Sequence, residues 1–414
     1  MRTGRPAAWP FYCTGCSLLH AARCRRKDSF SHRPRPPLLA LVIVFFAGCL
    51  VVQCVYVAWL VRGLRRAALA ASADSSLPTL DDTATCPPVS VVVAAHDEAS
   101  TIGPLLEALA AQTHPNVEVV LVDDASTDAT REVLEAAADS RDRWCVVPRS
   151  GPDAPSKKRA MAAGVDAATH EILAFTDADC TPPPSWCRGI ARCHERLREK
   201  GHEDAVLIGY SPFRPRGGLL GRWSRYETLQ TGALTAAAAA VGHPYMAVGR
   251  NLSTSRSVYR AVHGSEAGAS LLSGDDDLFV QAVARETEAA IVPLLDPATF
   301  VPTEPPATWR AWIRQKRRHA SAGRAYARSA SLHLALYHGT HTLLWLAPLL
   351  LGSLGVGMLA LRLLLFGAVV GTATEQFDEP DLAPFFPVGE LFSALYHVVL
   401  VPWALLRPPD TWQR

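Results

Sequence analysis

The run Val89-Ser90-Val91-Val92-Val93-Ala94-Ala95, followed at once by His96-Asp97-Glu98, decides the fold of this chain. Apart from Ser90 the seven residues are apolar, and β-branched valine packs well on a pleated surface. A short strand that is apolar on both faces is covered on both faces, the situation inside a parallel sheet. The segments that follow repeat the plan. "TIGPLLEALAAQ" (101–112) has helical spacing, "VEVVLVDD" (117–124) is a second strand, "DATREVLEAAAD" (128–139) a second helix, and "EILAFTDAD" (171–179) a third strand that ends in acids. Strands alternating with helices predict an α/β domain, Rossmann-like, with a mostly parallel sheet between two helical layers. Ligands of such sheets bind beyond the carboxyl ends of the strands. The polar residues gather at those ends: His96, Asp97 and Glu98; Asp123 and Asp124; Asp177 and Asp179.

Around this domain the chain is apolar. Of its 414 residues 49% are hydrophobic and 19% charged, below the roughly 25% charge of ordinary soluble domains. Leu38 to Leu60 carries no charge and spans roughly 34 Å as a helix, enough to cross a bilayer. Residues 1–37 read as a patternless tail and residues 61–88 as a linker. Residues 309–331, "WRAWIRQKRRHASAGRAYARSAS", read as a basic amphipathic helix suited to an anionic membrane face. Residues 342–371 and 385–406 read as two further membrane segments, the first as one long tilted or kinked span rather than a hairpin. The cationic cluster between Arg310 and Arg328 argues for a cytosolic catalytic domain at the plasma (inner) membrane, against the arginines that precede Leu38. A net charge of +2 and the absence of a nucleic-acid motif exclude a nucleic-acid partner. The ten cysteines show no framework, and Cys180, Cys187 and Cys193 are expected to be reduced thiols.

Asp177 and Asp179 are separated by one residue at a strand end, where two carboxylates can hold a hard divalent cation, Mg²⁺ or Mn²⁺, and leave positions open for a diphosphate. A solvated pair of turn acids would look the same in isolation. Lys157 and Lys158 open a helical stretch and can meet phosphate oxygens; a solvated basic helix start is the plainer alternative. "SGDDDLF" (273–279) puts three carboxylates at a helix start, which either complement the helix dipole or supply a base. Each signal is weak by itself. Their order along the chain is not: strand–HDE, strand–DDxSxD, KK-helix, strand–DAD, GDDD, Q-x-x-R.

As an ordered set these segments resemble a membrane-bound family 2 glycosyltransferase, an inverting enzyme with the GT-A fold, over roughly Val89 to Tyr326. The resemblance implies a nucleotide-sugar donor and a membrane-associated, lipid-type acceptor. It implies that Ala95, Asp97, Glu98, Asp124, Lys158 and Asp177 bind the donor nucleotide, that Asp179 ligates the metal with Asp177, and that Asp276 is the general base. Asp275, Gln315 and Arg318 would lie at the acceptor and diphosphate. Two departures stand out: Asp97 replaces the usual asparagine, and His319 replaces the tryptophan of Q-x-x-R-W. In polysaccharide synthases that tryptophan helps hold the acceptor sugar, so its loss points away from processive synthesis. A catalytically silent scaffold would need none of the retained acids.

Overall fold

Residues 38–75, 86–151, 155–263 and 275–407 are described by the computed structural model. By contact the chain divides into Met1–Phe45 and Phe46–Arg414, and the sheet, the site and the later helices all lie in the second unit. The first strand, β1 (Val89–Ala95), runs parallel to β2 (Val117–Asp124), with Val89 opposite Val117 and Ala95 opposite Asp123. The full sheet adds β3 (Trp144–Arg149), β4 (Ile172–Phe175), β5 (Ala205–Gly209), β6 (Leu252–Ser255) and β7 (Ala290–Leu294), in the order β3-β2-β1-β4-β6-β5-β7. Only β6 is antiparallel to its neighbours, so β4, β5 and β7 still point the same way as β1.

Along β1 the side chains alternate between two cores, as the pleat demands. Val91 and Val93 join a cluster with Ile102, Leu105, Leu134 and Ile190; Val92 joins another with Ala160, Val165 and Val280. Before the sheet runs α1 (Leu38–Ser75). The first core is closed by α2 (Gly103–Ala110), α3 (Thr130–Asp139) and, after α4 (Lys157–Ala167), by α5 (Trp186–Glu199). The helix α6 (Gly218–Ala240) leads toward the later helices, while α7 (Arg256–His263) and α8 (Asp275–Glu286) join α4 on the second face.

Beyond the sheet come α9 (Trp309–Ser321), α10 (Arg328–Leu344), α11 (Ala347–Leu351), α12 (Ser353–Gln376), α13 (Phe386–Leu395) and α14 (Val401–Leu406). Among the described residues three stretches are long and apolar enough to cross a membrane: Leu38–Ala71, Ser353–Gln376 and Pro380–Leu406. Their polar residues find one another. Arg362 of α12 pairs with Glu390 of α13, and its Nη2 lies 2.7 Å from Nδ1 of His341 on α10. Glu390 also accepts a 2.8 Å bond from the Tyr226 hydroxyl of α6.

Several expected boundaries are corrected. Residues 61–75, expected in a linker, continue α1; the rest of that expectation up to Cys86, and the tail 1–37, lie outside the described residues. The segment 342–371 is not one span: the chain reverses at Gly352, whose φ of 55° favours glycine, and α12 alone has the length to cross. The basic helix 309–331 ends at Ser321, passes through a 3₁₀ turn at Ala322–Ala325, and resumes as α10. The physical reason is a hook: the Tyr326 hydroxyl donates to Asp277 Oδ2, and the Ala327 N–H donates to Gln281 Oε1 at 2.8 Å. The strand β3 was not legible. It sits at the sheet edge, half-exposed, and contains Pro148, which an edge strand tolerates.

Candidate active site

The acids of the first two strands are drawn into the frame. Asp97, at a φ of 55°, accepts bonds from the Thr127 and Asp128 N–H groups at 2.7 and 3.3 Å, and the Thr127 N–H holds its carboxyl below the usual range. Asp124 pairs with Arg149 and accepts the Ser156 N–H at 2.6 Å, which fixes the start of α4. Glu98 is a correction: only 1% of it is exposed, and its carboxylate bonds the Thr101 hydroxyl before α2 instead of facing the open end of β1. Asp128, at the start of α3, accepts the Thr130 N–H at 2.9 Å.

The acids after β4 face a cleft. Lys157 Nζ lies 2.5 Å from Asp177 Oδ1. Desolvation works to lower the Lys157 ammonium, and the carboxylates of Asp177, Asp276 and Asp179 together lift it above its ordinary value. This lysine therefore joins the loop after β4 to the start of α8. Lys158, expected to meet the donor, lies roughly 100° around the helix from Lys157, and it is Lys157 that pairs with Asp177. Desolvation works to raise Asp177, yet Lys157, Arg250 and Arg318 hold it low. Asp179 is raised by desolvation and then by Asp177.

Asp276 stands on a prepared support. Its Oδ2 accepts the Gly249 N–H at 2.6 Å, and a Cβ on Gly249 would come within 3.3 Å of that oxygen. Burial raises the carboxyl above its usual range, against the Gly249 N–H and Lys157. Asp277, expected to complement the helix dipole, is instead buried: it accepts from Tyr326 and from the Ala247 N–H at 3.2 Å. Burial and then Asp276 push it well above the carboxylate range. The Asp275 side chain lies outside the described residues.

Helix α9 brings Q-x-x-R to this cleft. Trp312 and Lys316 form its buried face, and Lys316 pairs with Glu227 of α6. Gln315 Oε1 is buried with no hydrogen-bond partner in the ligand-free protein. Desolvation lowers Arg318, while Asp177 and Asp179 support its charge. Arg250, Gly249 and Tyr326 were missed from sequence, because single residues between elements leave no spacing to read. Arg250 lies with its guanidinium 5.2 Å from the Phe213 ring and lowers both Asp177 and Asp179.

The donor set suits a hard divalent cation. Asp179 and Asp177 offer oxygen, and the adjacent Cys180 thiol, pushed up to about 12 by burial, stays protonated and is no ligand. Among the described residues no group of three His, Cys, Asp or Glu side chains converges, so further ligands would come from a diphosphate and water.

A sheet of this order, with an acidic loop beyond its central strand, is the arrangement of a GT-A glycosyltransferase. The solved mannosyltransferase PcManGT of Pyrobaculum calidifontis, in complex with GDP-Man and Mn²⁺, superposes with a TM-score of 0.52 at 19% identity, covering 87% of this chain and 99% of that one. The chain belongs to the glycosyl transferase family group 2, whose model matches residues 172–406, more than half of it; the glycosyl transferase family 2 model matches residues 90–250. It is 39% identical over 121 residues to the succinoglycan biosynthesis protein ExoO of Rhizobium meliloti, covering 29% of this chain and 32% of the relative. It is 32% identical over 112 residues to the glycosyltransferase AglE of Haloferax volcanii, covering 26% and 36%. These matches span about a third of each relative's length.

Proposed function

We propose that this protein transfers one sugar from a nucleotide-sugar donor to a membrane-associated, lipid-type acceptor with inversion. The observation that carries the reading is Lys157, paired with Asp177 at 2.5 Å, with the carboxylates of Asp276 and Asp179 near enough to support its charge. It puts diphosphate-side charge and a raised carboxylate in one cleft. The nucleoside lies beyond β1 and β2, against Ala95, Asp97 and Asp124. Asp276 takes the proton of the acceptor hydroxyl as that oxygen attacks the anomeric carbon. The bond from this carbon to the diphosphate breaks, and the electron pair leaves with the diphosphate. Lys157, Arg250 and Arg318 offset the growing negative charge, while Gln315 orients the acceptor or diphosphate. Mg²⁺ or Mn²⁺, held by Asp179 and Asp177, would add Lewis-acid stabilisation of the leaving group.

The three apolar stretches support an integral membrane protein of the plasma membrane, and the arginines of α9 support a cytosolic active site. His319 beside Arg318 supports a short product. The test is purified full-length protein in detergent, a panel of nucleotide sugars and a lipid extract from the producing cells. One added sugar per lipid, abolished by EDTA and restored by Mn²⁺ or Mg²⁺, is expected. A long polymer, or full activity in EDTA, removes the corresponding part of the reading, and no transfer from any donor removes it all.

A further inference from the structure

A second cavity lies beside the cleft. It has a volume of about 310 Å³ and is walled by the segments that follow β4 (Thr181), β5 (Phe213, Arg214) and β7 (Phe300), closed by Asp378 and Glu379 after α12. These strands run parallel, so the cavity continues the crevice at the carboxyl edge of the sheet where ligands of open α/β sheets bind. It also abuts the metal-side loop directly. Thr181 is two residues past Asp179, the Thr303 hydroxyl donates to the Asp179 carbonyl at 3.2 Å, and Phe213 packs under Arg250.

Its chemistry is mixed in a telling way. Prolines and phenylalanines give flat apolar walls, while Arg214 and Asp378, both exposed, offer a donor and an acceptor. Arg225 is neutralised by Glu379 and Asp381, and Arg214 faces Glu304 at 3.2 Å, so the cavity holds no surplus of positive charge for an anion. Flat apolar surface with a few directed polar groups suits a sugar or polyol ring, and the volume is at the small end for ligand sites. Asp378 holds a φ of 56° as the left-handed residue that caps α12: its N–H donates to the Glu375 carbonyl at 3.3 Å and the Glu379 N–H to the Thr374 carbonyl at 2.8 Å, which fixes where this carboxylate stands on the cavity wall. Directly before it ends Ser353–Gln376, one of the three apolar stretches long enough to cross a membrane.

We infer that this cavity receives the hydroxyl-bearing head group of the acceptor, a ring of monosaccharide size carried on a membrane lipid whose tail runs along α12. The inference rests on the glycosyltransferase reading and adds to it where the acceptor is recognised. None of Arg214, Pro215 or Asp378 belongs to the base, the metal-side acids or the Q-x-x-R helix.

The test compares two reactions of the purified full-length protein: sugar transfer to lipid extracted from the producing cells, and slow hydrolysis of the nucleotide sugar by water without lipid. Pro215→Trp, which blocks the exposed rim, is expected to abolish transfer and leave hydrolysis unchanged. Arg214→Ala and Asp378→Asn are expected to raise the half-saturating lipid concentration about tenfold, as for loss of a hydrogen bond to a charged group, with the donor KM unchanged. Asn keeps the tolerance of positive φ, so Asp378→Asn separates recognition from folding. Transfer by Pro215→Trp with the unmodified lipid dependence overturns the inference alone. Equal loss of transfer and hydrolysis in all three variants also overturns it, because the cavity would then serve the donor site. Absence of both reactions in the unmodified protein overturns the glycosyltransferase reading and this inference with it.

Discussion

Two groups of carboxylates, equally acidic in sequence, have opposite surroundings. Asp97, Asp124 and Asp128 each accept from backbone N–H groups of neighbouring segments, Asp128 from Ala99, and hold the β1 and β2 loops to α3 and α4. Asp276, half-buried, keeps a raised carboxyl although the Gly249 and Asp277 N–H groups donate to it, and Asp179, exposed at the loop after β4, is raised by desolvation and by Asp177. Donors aimed at the charged form make a carboxylate a fastener; desolvation without full compensation keeps it available for a proton or a metal. The difference is one of balance between donated hydrogen bonds and burial, not of place in the fold, since Asp124 ends β2 and Asp179 follows β4, while Asp128 and Asp276 both stand at helix starts.

The sharpest break of this contrast is at Asp276. Asp276→Asn keeps the bond from Gly249 and removes the basicity. Single-turnover transfer should fall by roughly two to four orders of magnitude while donor affinity persists. The sign of the pH dependence follows from the raised carboxyl: the base works only when ionised, so the rate falls as pH drops through a pKa above the ordinary aspartate value. An acidic limb at or below that ordinary value would mean that Asp276 is not the base.

A fastener fails differently. Asp124→Ala strands the partly buried Arg149 guanidinium and leaves the Ser156 N–H unbonded. The expected outcome is a loss of about 3 kcal/mol in unfolding free energy, read by denaturant titration. Unchanged stability with lost donor affinity would move Asp124 into the reactive group. The smallest effect belongs to Asp277→Asn. Asn keeps the bond from the Ala247 N–H through its single amide oxygen, its NH₂ group donates to the Tyr326 oxygen in place of accepting from it, and Asp277 is pushed toward its neutral form already. Transfer should stay within about threefold of the unmodified rate, a modest change on the scale of a retained hydrogen bond. A drop as deep as that of Asp276→Asn would show that the negative charge of Asp277 takes part.

Much of this was readable because β1 and β2 carry their own evidence: apolar on both faces, bounded by acids, and found with the expected ends at Val89, Ala95, Val117 and Asp124. The sequence also brought the D-x-D loop, the acids of α8 and Q-x-x-R into consideration together. It did not reveal which lysine turns toward Asp177, since Lys157 and Lys158 differ only in helical phase. Nor did it reveal Arg250 or the Gly249 N–H, whose importance comes from contacts across 27 residues to Asp276. Glu98 shows the converse. Its place at a strand end suggested ligand contact, and burial beside Thr101 turned it inward.

The hook from Tyr326 to Asp277 has a consequence for where the catalytic part of the chain stops. Residues 89–308 are bounded as an independent unit by composition, yet the helix that starts with the base is clasped by a tyrosine eighteen positions past that boundary. Excising the sheet at residue 308 would free α8 on the side of Asp277 and remove the arginine and glutamine of α9 together. The catalytic part therefore includes α9 and the turn after it, and any cut that keeps this clasp falls after Tyr326 and Ala327, not before α9.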